Sequence, residues 1–283
     1  MRTVSHPVLN PNCPVGASPQ MRPEGAQGGE AAGLVYSKTT HTRTLAPPLD
    51  RMIKVDQARA RQKKIQCATL TAARLHVEQS QKGGFRMKCA MATLTYEEAV
   101  EWVPGQFEDM ATRVRNFLKR RKIPFRYVWV QEFTRRGRPH YHVLIWLPKG
   151  ITLPKPDKQG WWPHGSTRIE WVRNAVGYIA KYCSKASDLV RPAEGARMYG
   201  SGGLTGTALL EQRWWKMPKW VREVASVADA PCRHVGGGIL LKQTGEVLRS
   251  PWHVAFKGGH VYLWREEPPP RGEAVNGNIL SEV

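Results

Sequence analysis

Three hydropathy regimes divide the chain: no apolar periodicity, apolar positions at helical spacing, and strict alternation or short apolar runs. Residues 1–48 are rich in Pro, Gly, Ala and Ser without periodicity and predict a flexible tail. "LDRMIKVDQARARQKKIQCATLTAARLHVEQS" predicts a helix with a heavily basic face, with Asp50 a candidate N-cap. "GFRMKCAMATLTYE" predicts a strand ending near Tyr96. "QFEDMATRVRNFLKRRK" predicts a helix with Met110, Val114, Phe117 and Leu118 as its apolar stripe. "IPFRYVWVQEF" and "HYHVLIWL" predict a β-hairpin, joined by the turn "TRRGRP" centred on Gly137. A Pro/Gly loop follows. "STRIEWVRNAVGYIAKYCSKASDL" predicts a helix capped by Ser166 or Thr167, and "ARMYGSGGLTGTALLEQRWWKMPKWVREV" predicts irregular structure. "GGGILLKQTGEVLRSPWHVAFKGGHVYLW" predicts a late hairpin before an acidic, Pro-rich end. The expected organisation is a tail (1–48), a basic helical segment (49–84), a main domain (85–225) and a small β extension (226–283). No repeat at solenoid period interrupts it.

Strand periodicity turns the apolar run after Gly137 into a chemical question. Alternate residues of a strand share a face, so His140 and His142 point the same way, roughly 7 Å apart. Glu132 lies on the partner strand and joins them if the register of the turn allows. Two imidazoles and a carboxylate suit Mg²⁺ or Mn²⁺ with open positions, or a non-redox Zn²⁺. The alternative is a pair of packed, hydrogen-bonded and inert histidines. In the following helix Ile169, Val172, Val176, Ile179 and Cys183 form the expected core stripe. Tyr178 and Tyr182 are neighbours on another face, with Lys181 and Lys185 each three residues after a tyrosine. They read as nucleophiles beside ammonium groups, or as exposed tyrosines beside snorkelling lysines. A phenol of pKa ~10 is protonated at neutral pH, so attack on phosphorus needs nearby positive charge.

Charge adds the partner. Lys and Arg number 43 against 23 Asp and Glu, a formal net charge of +20 with pI near 10.1. Such a surface favours a polyanion, and nucleic acid before a membrane, since no lipidation signal or basic amphipathic anchor is present. Candidate phosphate contacts are Arg113, Arg115, Lys119, Arg120, Arg121 and Lys122 on one helix, and Arg135, Arg136 and Arg138 in the hairpin turn. Trp161, Trp162, Trp214, Trp215 and Trp220 are candidates for base stacking or for the core. His164 is a candidate further ligand. No apolar run reaches the ~18 residues of a membrane span. The five cysteines form no Cys-x-x-Cys pair, which fits a reducing cytoplasm. "GSGGLTGTALL" lacks the lysine of a nucleotide-binding P-loop.

Three blocks together resemble the HUH endonucleases, named for His–hydrophobic–His. The closer likeness is to two-tyrosine rolling-circle replication initiators (Rep) of single-stranded DNA phages and plasmids. The blocks are "ATLTY", "EFTRRGRPHYHVLIW" and "YIAKYCSK", and the resemblance spans about residues 88–188. It implies an α+β fold, a central antiparallel sheet with flanking helices in an RRM/ferredoxin-like palm. It implies a divalent metal, Mg²⁺ or Mn²⁺, on His140, His142 and Glu132. It also implies cleavage of one strand of single-stranded or supercoiled origin DNA through a 5′-phosphotyrosine, in the cytoplasm of a bacterial host. Tyr178 and Tyr182 match the paired nucleophiles, although single-tyrosine members exist. A host helicase and polymerase are the implied partners, with no small-molecule cofactor. The rivals are a transposase or relaxase of the same chemistry, and a non-catalytic nucleic-acid-binding regulator.

Overall fold

The computed structural model describes residues 47–82, 87–134, 137–183 and 196–265. A 3₁₀ turn at Leu49–Arg51 precedes β1 (Ile53–Lys54) and the long helix α1 (Gln57–Lys82). The Arg59 N–H donates to Asp56 Oδ1 at 2.9 Å, so Asp56 rather than Asp50 caps α1. The chain then forms β2 (Met87–Thr95), α2 (Gln106–Lys119), β3 (Arg126–Phe133) and β4 (Pro139–Pro148). β5 (Thr167–Val172), α3 (Ala175–Cys183), β6 (Tyr199–Gly202), α4 (Gly206–Trp215) and α5 (Lys219–Arg222) follow. Short strands end the described chain: β7 (Cys232–Arg233), β8 (Ile239–Leu240), β9 (Val247–Leu248), β10 (Trp252–Lys257) and β11 (His260–Arg265).

The fold is α+β. Its centre is a five-stranded antiparallel sheet in the order β5-β2-β4-β3-β6. Two three-stranded sheets, β1-β11-β10 and β7-β8-β9, stand apart from it. The central strands are buried on both faces, which explains why β4 reads as a continuous apolar run. Parity sorts its residues. Tyr141, Val143, Ile145 and Leu147 join Phe107, Met110, Val114 and Leu118 of α2 on one side. Leu144 and Trp146 join Ile65, Ala72 and Ala73 of α1 and Ile179 and Cys183 of α3 on the other. Alanines at the contact let α1 come close, and Thr69 Oγ1 lies 2.8 Å from Cys183 Sγ.

The segment "STRIEWV" is a strand, not the start of a helix. It pairs with β2, with Ile169 opposite Ala92 and Val172 opposite Cys89. Residues three apart lie on opposite faces of a strand, so the proposed stripe from Ile169 through Val172 into the helix does not exist. The cap is Asn174, whose Oδ1 accepts from the Gly177 N–H at 2.9 Å. Ser166 instead bonds Thr95, and Thr167 bonds Asp157. The stretch expected to be irregular contains β6, α4 and α5. An Arg74–Glu211 ion pair ties α4 to α1. The late hairpin is two hairpins, and Gly258 and Gly259, at φ 54° and 75°, supply the left-handed turn of the second. The tail residues 1–46 and 266–283 lie outside the described residues.

Candidate active site

The register of β3 against β4 decides the geometry. Glu132 pairs with His140 and Val130 with His142. Directly opposite residues share a face, so Glu132, His140 and His142 all point to the side carrying α1 and α3. His142 Nε2 lies 2.9 Å from Glu132 Oε2, and Nδ1 lies 3.4 Å from Thr93 Oγ1 of β2. His142 is 5% exposed. Burial lowers the pKa of His140, against the opposing charge of Glu132, so His140 holds a neutral ring at neutral pH.

α3 crosses this face and brings Tyr182 onto it. The Tyr182 and His142 rings stack with centroids 3.6 Å apart and planes 18° from parallel. Tyr178, one turn earlier, is 40% exposed. Lys181 Nζ lies 5.7 Å from the Tyr182 ring centroid. Burial raises the pKa of the Tyr182 phenol, and Glu132, Tyr178 and Glu170 push it the same way, while Arg168 opposes them. The phenol therefore keeps its proton at neutral pH without added positive charge.

Two neutral-capable imidazoles and a carboxylate on one face have the donor chemistry of a divalent cation site. The carboxylate, however, engages the His142 edge that a cation would share. Among the described residues no three His, Cys, Asp or Glu side chains converge as a ready-made cation cage. The donor chemistry fits a divalent metal, since two neighbouring donors on one such ion stand about 3 Å apart.

Other candidates fall elsewhere. Arg138 closes the hairpin turn, where its N–H donates to Thr134 Oγ1 at 3.1 Å, and its guanidinium pairs with Glu98. Arg120 and Arg121 sit at the end of α2, across the sheet from the histidines, and Arg121 stacks over Phe117 at 3.7 Å. His164 stacks on Tyr96 and meets Gln106, so it belongs to the α2 side too. Trp162 is core, donating to the Thr95 carbonyl at 3.0 Å. Arg135, Arg136 and Lys185 lie outside the described residues. Three neighbours escaped sequence reasoning: Thr93, Arg168 and Glu170. Arg168 pairs in register with Thr93, on the histidine side of the sheet, and forms an ion pair with Glu170. The helical assignment of "STRIEWV" concealed both charges. Strand parity applied to "ATLTY" would have found Thr93.

Residues 89–187 match the family model of replication-associated protein ORF2. The matched region runs from β2 past α3 and holds Glu132, His140, His142, Tyr178 and Tyr182. It covers roughly a third of the chain and supports a replication-initiation role as a Rep-type protein. No significant match was found among curated proteins or among solved structures. Among the described residues no helix is long and apolar enough to cross a membrane.

Proposed function

We propose that the protein initiates rolling-circle replication by nicking and rejoining one DNA strand through a tyrosine. The observation that carries this reading is the Tyr182 ring lying on His142 with Glu132 behind it. In the proposed step Tyr182 Oη forms a bond to the scissile phosphorus and the P–O3′ bond breaks. The phenol gives up its proton, and the departing 3′ oxygen takes one up. The 5′ phosphate remains on the tyrosine, and one phosphodiester has been exchanged for another. The stack fixes the phenol ring, and the Lys181 ammonium favours the charge that develops on Oη. Tyr178, exposed one turn away, would make the second transfer that rejoins the strand. Mg²⁺ or Mn²⁺ would be held by His140, His142 and Glu132 and, when bound, would withdraw charge from the scissile phosphate. Origin DNA is the proposed substrate, with unwinding and synthesis left to a host helicase and polymerase.

The test is attachment. With Mn²⁺, an origin oligonucleotide labelled at its 3′ end is expected to become covalently bound to the protein, and chelation is expected to abolish the product. A transposase or relaxase would give the same adduct and is distinguished by the DNA it prefers. Among the described residues no three His, Cys, Asp or Glu side chains converge as a cation cage, which favours a second reading, a non-catalytic nucleic-acid-binding regulator. Wild type that binds the oligonucleotide but never attaches to it with any divalent metal assigns that reading.

A further inference from the structure

The end of the sheet remote from His140 carries a cationic hollow that the nicking chemistry does not use. Its volume is about 290 Å³, and Gln79, Ser80, Met87, Lys122, Ile123, Pro124, Arg126 and Pro148 line it. Arg126, at the start of β3, is 8% exposed. One of its terminal nitrogens donates to Gln79 Oε1 at 2.9 Å and to the His76 carbonyl at 3.3 Å. Its Nε has no partner among the described residues, and no carboxylate there forms an ion pair with it. A buried guanidinium held only by neutral acceptors lacks the counter-ion that usually accompanies burial.

Lys122 supplies a second, independent sign. It stands in the turn that follows α2, with φ 58°, in the left-handed region. The Ile123 N–H reaches back to the Leu118 carbonyl at 3.0 Å and the Lys122 N–H to the Lys119 carbonyl at 2.9 Å. This is the Schellman position, where glycine is the unstrained choice. A lysine held there bears backbone strain for no visible packing gain, and strain of this kind gathers at binding sites. On the other side of the 122–124 loop a hollow of about 360 Å³ adds Arg115 and Lys119, again with no acidic residue in its wall.

We propose that this hollow grips the substrate strand away from the cut. A backbone phosphate of single-stranded DNA sits on Lys122 and Arg126, and an unpaired base lies against Met87, Ile123, Pro124 and Pro148. The apolar wall accepts a base face without reading its identity, and the cations track the backbone. Arg126 and Glu132 are six residues apart on one strand, about 20 Å. One strand can therefore occupy both ends of the sheet. The inference rests on the DNA-processing role proposed above.

Lys122→Gly is the decisive variant, because relief of strain and loss of a phosphate contact pull in opposite directions. The full chain is titrated against a fluorescein-labelled thymidine oligonucleotide of about twelve nucleotides, with thermal melting in parallel. Affinity is expected to fall roughly three- to tenfold near 0.1 M salt, with the salt slope shallower by about 0.7. The Tm is expected to hold or rise. Arg126→Gln should show the same loss of affinity where it folds, and Lys122→Gly decides where it does not. Unchanged affinity and salt slope in Lys122→Gly overturn the proposal, as does an affinity loss that accompanies a lower Tm. Wild type that binds, responds to Lys122→Gly and yet never attaches to the origin oligonucleotide with Mn²⁺ overturns the nicking chemistry and leaves this contact standing. Wild type without measurable affinity for the oligonucleotide overturns both.

Discussion

Tyr182→Phe separates chemistry from architecture because it removes one atom. The ring that lies 3.6 Å from His142 remains, so the stack remains. The phenol is not among the buried polar groups of the described residues, so its loss leaves no buried partner orphaned. The expected change in stability is within about 0.5 kcal/mol. The expected change in attachment is far larger. Without the nucleophile the single-turnover rate should fall at least about 10³-fold, equivalent to ~4 kcal/mol of barrier. The two effects differ by close to an order of magnitude in energy, so one cannot be mistaken for the other. The assay follows a 3′-labelled oligonucleotide onto the protein by denaturing electrophoresis, with urea unfolding of the same preparation. Tyr178→Phe in parallel assigns the order of use, since its ring is exposed and outside the His142 stack. A Tyr182→Phe protein that attaches DNA at the wild-type rate would falsify the role given to the stacked phenol. If the double variant Tyr178→Phe/Tyr182→Phe also attaches DNA, no tyrosine mechanism survives.

Three further outcomes are expected. His142→Ala removes the ring stack and the 2.9 Å contact to Glu132, at a cost of about 2–4 kcal/mol in urea unfolding, and abolishes attachment; a loss below 0.5 kcal/mol, on the order of a surface substitution, would contradict the packing described. Asn174→Ala removes the cap between β5 and α3 and is expected to cost ~1 kcal/mol, whereas Ser166→Ala should leave α3 helicity unchanged. His76 is fully buried against Trp146, neither ring nitrogen has a well-formed hydrogen bond among the described residues, and burial, then the Arg126 charge, takes its pKa down to about 3 against weak backbone contacts at Tyr127 and Gly202. The unfolded ring titrates near 6.5, so the folded protein loses stability as pH falls below that value, by ~1.4 kcal/mol per unit until about pH 3. His76→Phe should be as stable as wild type or more so at pH 7. It should also be less acid-sensitive by about 2 kcal/mol between pH 6.5 and pH 5; equal pH slopes for the two proteins would remove the buried neutral histidine from the account.

Elements whose pattern is set by one buried face were legible in the sequence. The α2 stripe, β3, β4 and the turn at Gly137 follow from spacing alone, and two-residue periodicity put His140 and His142 together. Register was not legible. The face of Glu132 depended on how residues 134–138 close the turn, and only the pairing of Glu132 with His140 settles it. "STRIEWV" misled because Ile169, Val172, Val176 and Ile179 recur at helical spacing across a break at Asn174. Its β-branched residues belong to an edge strand, and side-chain packing against β2 outweighs so short a periodic signal. α4 was missed for the opposite reason. It is tied to α1 through polar side chains, Arg74 with Glu211 and Gln79 with Thr205 just before the helix, and such contacts leave no apolar stripe to read.

The same parity that assembles the site also confines it. Every residue of the histidine–tyrosine cluster lies on the α1/α3 side of the sheet, and the basic α2 helix lies on the other. Arg113, Arg120 and Arg121 therefore cannot meet the scissile phosphate of a strand threaded over His142, whatever their charge. A strand that touches both sides must pass an end or an open edge of the sheet. At the histidine end the route leads past the turn where Arg138 is already paired with Glu98. At the other end Lys122 lies between the two hollows, in the wall of both. Positive charge spread over the whole surface would attract DNA without orienting it. Cations without carboxylate partners among the described residues, gathered at one end of a sheet whose other end carries the proposed nucleophile, would give the strand a direction. Polarity of that kind is what the proposed single-strand transfer requires, because attack by Tyr182 would have to leave the 3′ hydroxyl on a defined side of the cut.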